Sequence, residues 1–107
     1  MTDIWFDSAA SLAQKIKARD ISARDALEIF LARTERFNGA LNAIIWQDND
    51  AARVRADAAD AALAAGESWG PLHGVPVTLK DAYEWLGSPT KWCDTAFAHT
   101  YPPRTSL

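Results

Sequence analysis

Between Ala51 and Ala65 the chain places nine alanines in fifteen positions, with no glycine or proline among them. Alanine gives up the least side-chain freedom in a helix, so this run predicts a helix over 51–65. Asp48-Asn49-Asp50 offers N-caps and negative charge at its start, and Gly66 closes it. A pair of Arg53 and Asp57, four residues apart, is expected along its surface. A helix faced with alanine lets another backbone approach closely. It is therefore expected to pack against something broad rather than to stand alone.

Two more helices are predicted before it. The first starts near Asp7 or Ser8, with Ala9, Leu12, Ala13 and Ile16 at helical spacing. The second opens at Ser22-Ala23-Arg24-Asp25, which resembles a capping box with Asp in place of the usual Glu. Leu27, Phe30, Leu31 and Phe37 line one face, with Arg24, Glu28, Glu35 and Arg36 away from it, and Asn38-Gly39 is read as its stop. Leu41 to Trp46 reads as a short strand, rich in β-branched and aromatic residues. A second β-type run, Val75-Pro76-Val77-Thr78-Leu79, follows the turn Trp69-Gly70-Pro71-Leu72-His73-Gly74, and Pro76 confines it to an edge or a strand start. The expected class is α/β.

Length and composition limit what this chain does. At 107 residues there is room for one small domain with a thin core. Five tryptophans, four phenylalanines and two tyrosines are a heavy aromatic load for such a core, so some are expected to face protein beyond it. The net charge of −3 argues against a nucleic-acid partner, which needs clustered positive charge. Lys15, Lys17 and Arg19 form a small basic group read as a solvated helix face. Cys93 is the single cysteine, which excludes an intrachain disulfide and fits a reducing compartment. No basic stretch followed by an apolar one opens the chain, and no apolar run reaches membrane-spanning length. A cytoplasmic protein without a membrane partner is expected.

Chemistry concentrates at the end of the second β-type run, where Lys80 precedes Asp81. Catalytic groups are often held at the end of a strand, open to a cleft. A lysine acts as a base only when desolvation or nearby positive charge weakens its hold on the proton. On local composition alone, an exposed Lys80–Asp81 pair closing a strand is the favoured reading.

The twelve residues Gly70-Pro71-Leu72-His73-Gly74-Val75-Pro76-Val77-Thr78-Leu79-Lys80-Asp81 resemble the lysine motif of the amidase signature family. The likeness continues through Arg33-Thr34-Glu35-Arg36, Leu41-Asn42-Ala43, the alanine-rich helix and Gly87-Ser88-Pro89-Thr90, and covers roughly residues 8–103. The resemblance implies a serine, cis-serine, lysine triad that hydrolyses carbon–nitrogen amide bonds, with Lys80 as the base. Through the bridging cis-serine the lysine takes a proton from the nucleophilic serine, whose alkoxide attacks the amide carbonyl. Backbone N–H groups of a glycine-rich loop stabilise the oxyanion. No metal or organic cofactor is expected, and the partner is a small-molecule amide.

Both family serines belong to a Gly/Ser-rich stretch well beyond the lysine. Ser8, Ser11, Ser22, Ser68, Ser88 and Ser106 stand in capping or turn contexts instead. Residues 1–107 are therefore expected to be the N-terminal portion of one amidase domain of α/β class, truncated before the nucleophile region and inactive alone, with oligomerisation through exposed core surface. The alternative is a non-catalytic remnant or interaction piece. Cys93-Asp94 replaces the family's Gly-Ser, and Arg104-Thr105-Ser106-Leu107 also departs from the pattern. A thiolate–imidazole pair of Cys93 with His73 or His99 is less favoured than a structural Cys93, and His73 reads as a hydrogen-bonding loop residue.

Overall fold

The computed structural model describes residues 3–90 and 101–102. The chain divides after Pro76 into two compact units, Met1–Pro76 and Val77–Leu107. Cys93, Asp94 and His99, and the segment 104–107, lie outside the described residues.

The first unit holds a 3₁₀ turn at Ile4–Phe6 and helices α1 (Ala9–Lys17), α2 (Ala23–Leu41) and α3 (Asn49–Ala64). Each α-helix begins at a side-chain cap three residues before the amide it receives: Ser8 Oγ accepts from Ser11, Ser22 Oγ from Asp25, and Asp48 Oδ1 from Ala51. Gly66 ends α3 in a left-handed conformation, with φ +80°, and the Glu67 N–H returns to the Ala62 carbonyl. Arg19 plays the same part after α1 with φ +61°, and its guanidinium donates to the Leu63 carbonyl in the last turn of α3 at 3.0 Å.

The core gathers Ile4, Leu12, Ile16, Ile21, Ala23, Ala26 and Ala59, with Ile29, Phe30, Leu63 and Val75 packed against it. Burying each Leu or Ile contributes roughly 1.5–3 kcal/mol. α2 and α3 pack on each other, and the residues that permit it are small. Ala23 and Ala26 are fully buried and Ala59 nearly so. The alanine-rich run packs as expected but through a narrow part of its surface: of its alanines only Ala59 and Ala62 are buried.

A polar seam runs along the same contact. Glu28 receives Arg53 in a two-pronged bond, Nε to Oε1 at 2.7 Å and Nη2 to Oε2 at 3.2 Å, and also Arg24 Nε at 2.9 Å. Arg24 Nη1 reaches Asp57 Oδ2 at 2.7 Å. These contacts hold the Glu28 carboxyl at about 2, down from the usual 4.5, Arg53 being the larger cause and Arg24 the next. The Arg53–Asp57 pair expected within α3 does not form. Each takes a shorter bond to a partner on α2, and Arg53 keeps a longer one within α3, Nη1 to Asp50 Oδ1 at 3.5 Å.

Three further expectations change. The second helix does not stop at Asn38-Gly39 but runs to Leu41, and Asn42 makes the left-handed turn at φ +48°. The Asn38 amide is engaged elsewhere, donating to the Ile44 carbonyl at 2.8 Å and accepting from the Ile44 N–H at 2.9 Å. Phe37 is not in the core: it is 40% exposed, with the guanidinium carbons of Arg33 and Arg36 each 5.0 Å from its ring centre. Finally, no strand occurs among the described residues, neither at Leu41–Trp46 nor at Val75–Leu79. Residues 43–48 and 75–80 are free of helix, but a strand exists only by pairing with another. For Ile44 the Asn38 amide supplies both bonds that a neighbouring strand would give. The described part of this chain is helical.

Candidate active site

Residues 67–76 lead out of α3 toward the lysine and make a tightly tied loop. The His73 N–H donates to the Gly70 carbonyl at 3.2 Å and the Val75 N–H to the Leu72 carbonyl at 3.1 Å, closing two successive turns. Gly70 has φ +127° and Gly74 φ +78°, conformations that side chains resist. At Gly74 space is short as well: a Cβ would stand 3.0 Å from Ala23 Cβ and 3.1 Å from Ile16 Cγ2. The loop is thereby pressed onto the helices where α1 and α2 meet the core.

His73 ties the loop to α3. Its Nδ1 lies 2.9 Å from the Trp69 amide nitrogen and its Nε2 2.8 Å from the Ala59 carbonyl. The Trp69 ring sits 4.9 Å from the imidazole, centre to centre, and the Arg55 guanidinium 3.9 Å from the indole centre. Residues 69–74 together line an open hollow of about 390 Å³. With both ring nitrogens engaged, His73 is a hydrogen-bonding loop residue.

In the second unit, Lys80 ends the irregular run after the loop, and its carbonyl accepts from the Tyr83 N–H at 3.0 Å to begin a turn. Its side chain is exposed, and Asp81 is half-buried. A second turn closes from the Ser88 N–H to the Trp85 carbonyl at 3.0 Å, with Gly87 at φ +88°. Thr90 follows at 2% exposure, and its Oγ1 has no hydrogen-bond partner among the described residues. Composition and spacing do not mark that hydroxyl. Its only sequence signal is the Gly-x-Pro-Thr turn.

Four of the five described serines have local work for their hydroxyls, and Ser11 gives its backbone N–H to Ser8. Ser8 and Ser22 cap helices, Ser68 Oγ accepts from the Gly70 N–H at 3.3 Å, and Ser88 Oγ donates to the Trp85 carbonyl at 3.3 Å. Among the described residues no His, Cys, Asp and Glu cluster as metal ligands, and no helix is long and apolar enough to cross a membrane. A groove of about 530 Å³ lies along α2 and the start of α3, lined by Glu28, Leu31, Glu35, Asn38, Gln47 and Arg53 among others. No residue of the lysine motif borders it.

Comparison with known proteins places this loop and lysine in context. The Amidase family model matches residues 25–107. The chain is 42% identical over 90 residues to a glutamyl-tRNA(Gln) amidotransferase subunit from Acidothermus cellulolyticus, covering 84% of this chain and 18% of that protein. It is likewise 42% identical over 81 residues to an amidase of Pseudomonas putida, covering 76% of this chain and 16% of that one. A solved structure described as "An unexpected vestigial protein complex reveals the evolutionary origins of an s-triazine catabolic enzyme" contains a similar chain. Its TM-score is 0.83 at 30% identity, over 91% of this chain and 21% of that one. The chain thus spans less than a fifth of the length of these curated relatives. On the match over most of its length, the chain belongs to the amidase family.

Proposed function

We propose that this chain supplies the base lysine, Lys80, to the hydrolysis of a carbon–nitrogen amide bond, as the N-terminal portion of a single amidase domain. The observation that carries the reading is the motif itself. The loop from Gly70 to Gly74 has the left-handed glycines and tight turns that its residue types call for, and it leads directly to Lys80 within the family match. The two serines of the triad come from the Gly/Ser-rich remainder of the domain, so the chain by itself is inactive. The substrate is a small-molecule amide, and the setting is cytoplasmic.

In the complete domain, the segments 43–48 and 75–80, which carry no helix here, become strands of a mixed sheet, which gives the α/β class. Val77, Leu79, Trp85 and Leu86 are exposed in this chain. Such side chains drive association with the remainder of the domain or, in its absence, between copies.

The test is a chimera of the Pseudomonas putida amidase in which this chain replaces the segment it aligns with. Amide hydrolysis by the chimera, lowered by roughly 10²–10⁴ in kcat in Lys80→Ala, is the expected result for loss of a positioned base. A folded chimera with no activity would favour the non-catalytic remnant. Equal activity in Lys80→Ala would remove the lysine from the mechanism.

A further inference from the structure

We propose that His73 is a positioning residue, a neutral imidazole with its proton on Nε2 that latches the loop leading to Lys80 onto α3. The purpose of the latch rests on the reading of Lys80 as the base; its existence rests on the loop geometry alone.

A backbone N–H only donates and a carbonyl only accepts. The Trp69 N–H meets Nδ1 at 2.9 Å and the Ala59 carbonyl meets Nε2 at 2.8 Å. One form of the ring satisfies both, with Nδ1 bare and Nε2 protonated. The imidazolium form would set an N–H against the Trp69 N–H and undo the turn it supports. Proton exchange with a substrate is thus closed to this ring unless the loop opens.

Three consecutive residues hold three different parts of the helical unit. His73 bonds to α3 through Ala59, Gly74 lies against Ile16 of α1 and Ala23 of α2, and Val75 packs on the core. Pro76, with its fixed φ, then starts the run that ends at Lys80.

The charged side chains on the elements that meet here are largely committed. Asp57 pairs with Arg24, Asp60 with the Ala23 and Arg24 amides, Arg19 with the Leu63 carbonyl and Arg55 with the Trp69 ring. Glu67, at the head of the loop, is exposed.

The experiment is nitrogen-15 NMR on the 107-residue chain at neutral pH, reading the His73 tautomer, the exchange of the Trp69 amide and the amide signals of residues 70–76. The expected result is the Nε2–H tautomer and slowed exchange at Trp69. In His73→Phe that protection should vanish and residues 70–76 should shift, while the α2 amides from Ala26 to Phe30 stay in place. His73→Gln, whose amide both donates and accepts, should restore part of the protection. An Nδ1–H tautomer, fast Trp69 exchange in the wild-type chain, or full protection retained in His73→Phe would overturn the proposal. The tautomer and the exchange need no variant to fold, and no activity is read, so failure of the Lys80 assignment registers separately.

Discussion

Replacing Asp60 by Ala tests how two helices of a thin core hold each other. Asp60 lies on α3, yet its carboxylate receives the Ala23 N–H at 2.7 Å and the Arg24 N–H at 3.0 Å, two of the free amides at the start of α2. Ser22 Oγ takes the Asp25 N–H and the Ser22 carbonyl takes the Ala26 N–H, so the first turn is satisfied completely. Asp60→Ala leaves the Ala23 amide, on a fully buried residue, without an acceptor, at a cost of about 1–3 kcal/mol. The Arg24 amide loses its cap for about 1 kcal/mol more. Alanine's better helix propensity returns about 0.5 kcal/mol. The net expectation is a loss of about 1.5–3.5 kcal/mol, out of a total of roughly 5–15 kcal/mol for a small domain. Urea unfolding followed by circular dichroism measures it, with Asp60→Asn, which keeps one acceptor, falling between. A midpoint for Asp60→Ala within about 0.5 kcal/mol of wild type at equal m-value would refute the account, since surface substitutions remain in that range.

Glu28 predicts an acid limb. Its folded carboxyl titrates at about 2 against the usual 4.5, so its contribution is complete above about 4.5 and is lost as pH falls toward about 2. Urea midpoints should therefore drop less steeply across that window in Glu28→Gln than in wild type, and added salt should shrink the difference because the group is partly exposed. Two glycines predict opposite signs in thermal unfolding. Gly74→Ala forces a Cβ to 3.0 Å from Ala23 Cβ at φ +78° and should destabilise by about 1–3 kcal/mol. Gly39→Ala, inside α2 with nothing within 4 Å of its Cβ, should stabilise by up to about 1 kcal/mol. Thr90→Val removes a buried hydroxyl with no partner among the described residues and should leave the chain equally stable or raise its unfolding midpoint by about 1 kcal/mol; a comparable loss would mean that the hydroxyl is bonded.

What was legible in the sequence is what depends on near neighbours. Ser8, Ser22, Asp48 and Gly66 act within three or four residues of themselves, so spacing reveals them. Asp60 caps α2 across 37 positions, and Arg53 finds Glu28 across 25. Nothing local distinguishes these from solvated charges. Asn38-Gly39 misled because both residues tolerate a helix end, but tolerance is not demand: Gly39 stays helical and Asn42 takes the left-handed turn. The lysine motif was recognisable as a string, and its turns are present. The environment of Lys80 was not legible because, on the reading proposed above, it depends on residues far along a family domain, and this chain spans less than a fifth of the relatives it matches.

Helices and strands respond differently to being seen in such a portion. A helix satisfies its amides within its own segment, and α1, α2 and α3 bury enough alanine, leucine and isoleucine between them to close a core. A strand satisfies neither its amides nor its two faces without neighbours. The segment 75–80 forms neither helix nor strand, and Val77 on it is 72% exposed. On the reading proposed here, Lys80 is solvated for the same reason as Val77. The strands that would bond to this segment and cover Val77 are the ones that would take water away from the lysine, and desolvation is one of the means by which a lysine becomes a base. Packing and chemistry at Lys80 are then a single requirement. An added partner segment that protects the Val77 amide from exchange should also change the reactivity of the Lys80 amine toward acylating reagents. Protection of one without change in the other would separate the two and count against the reading.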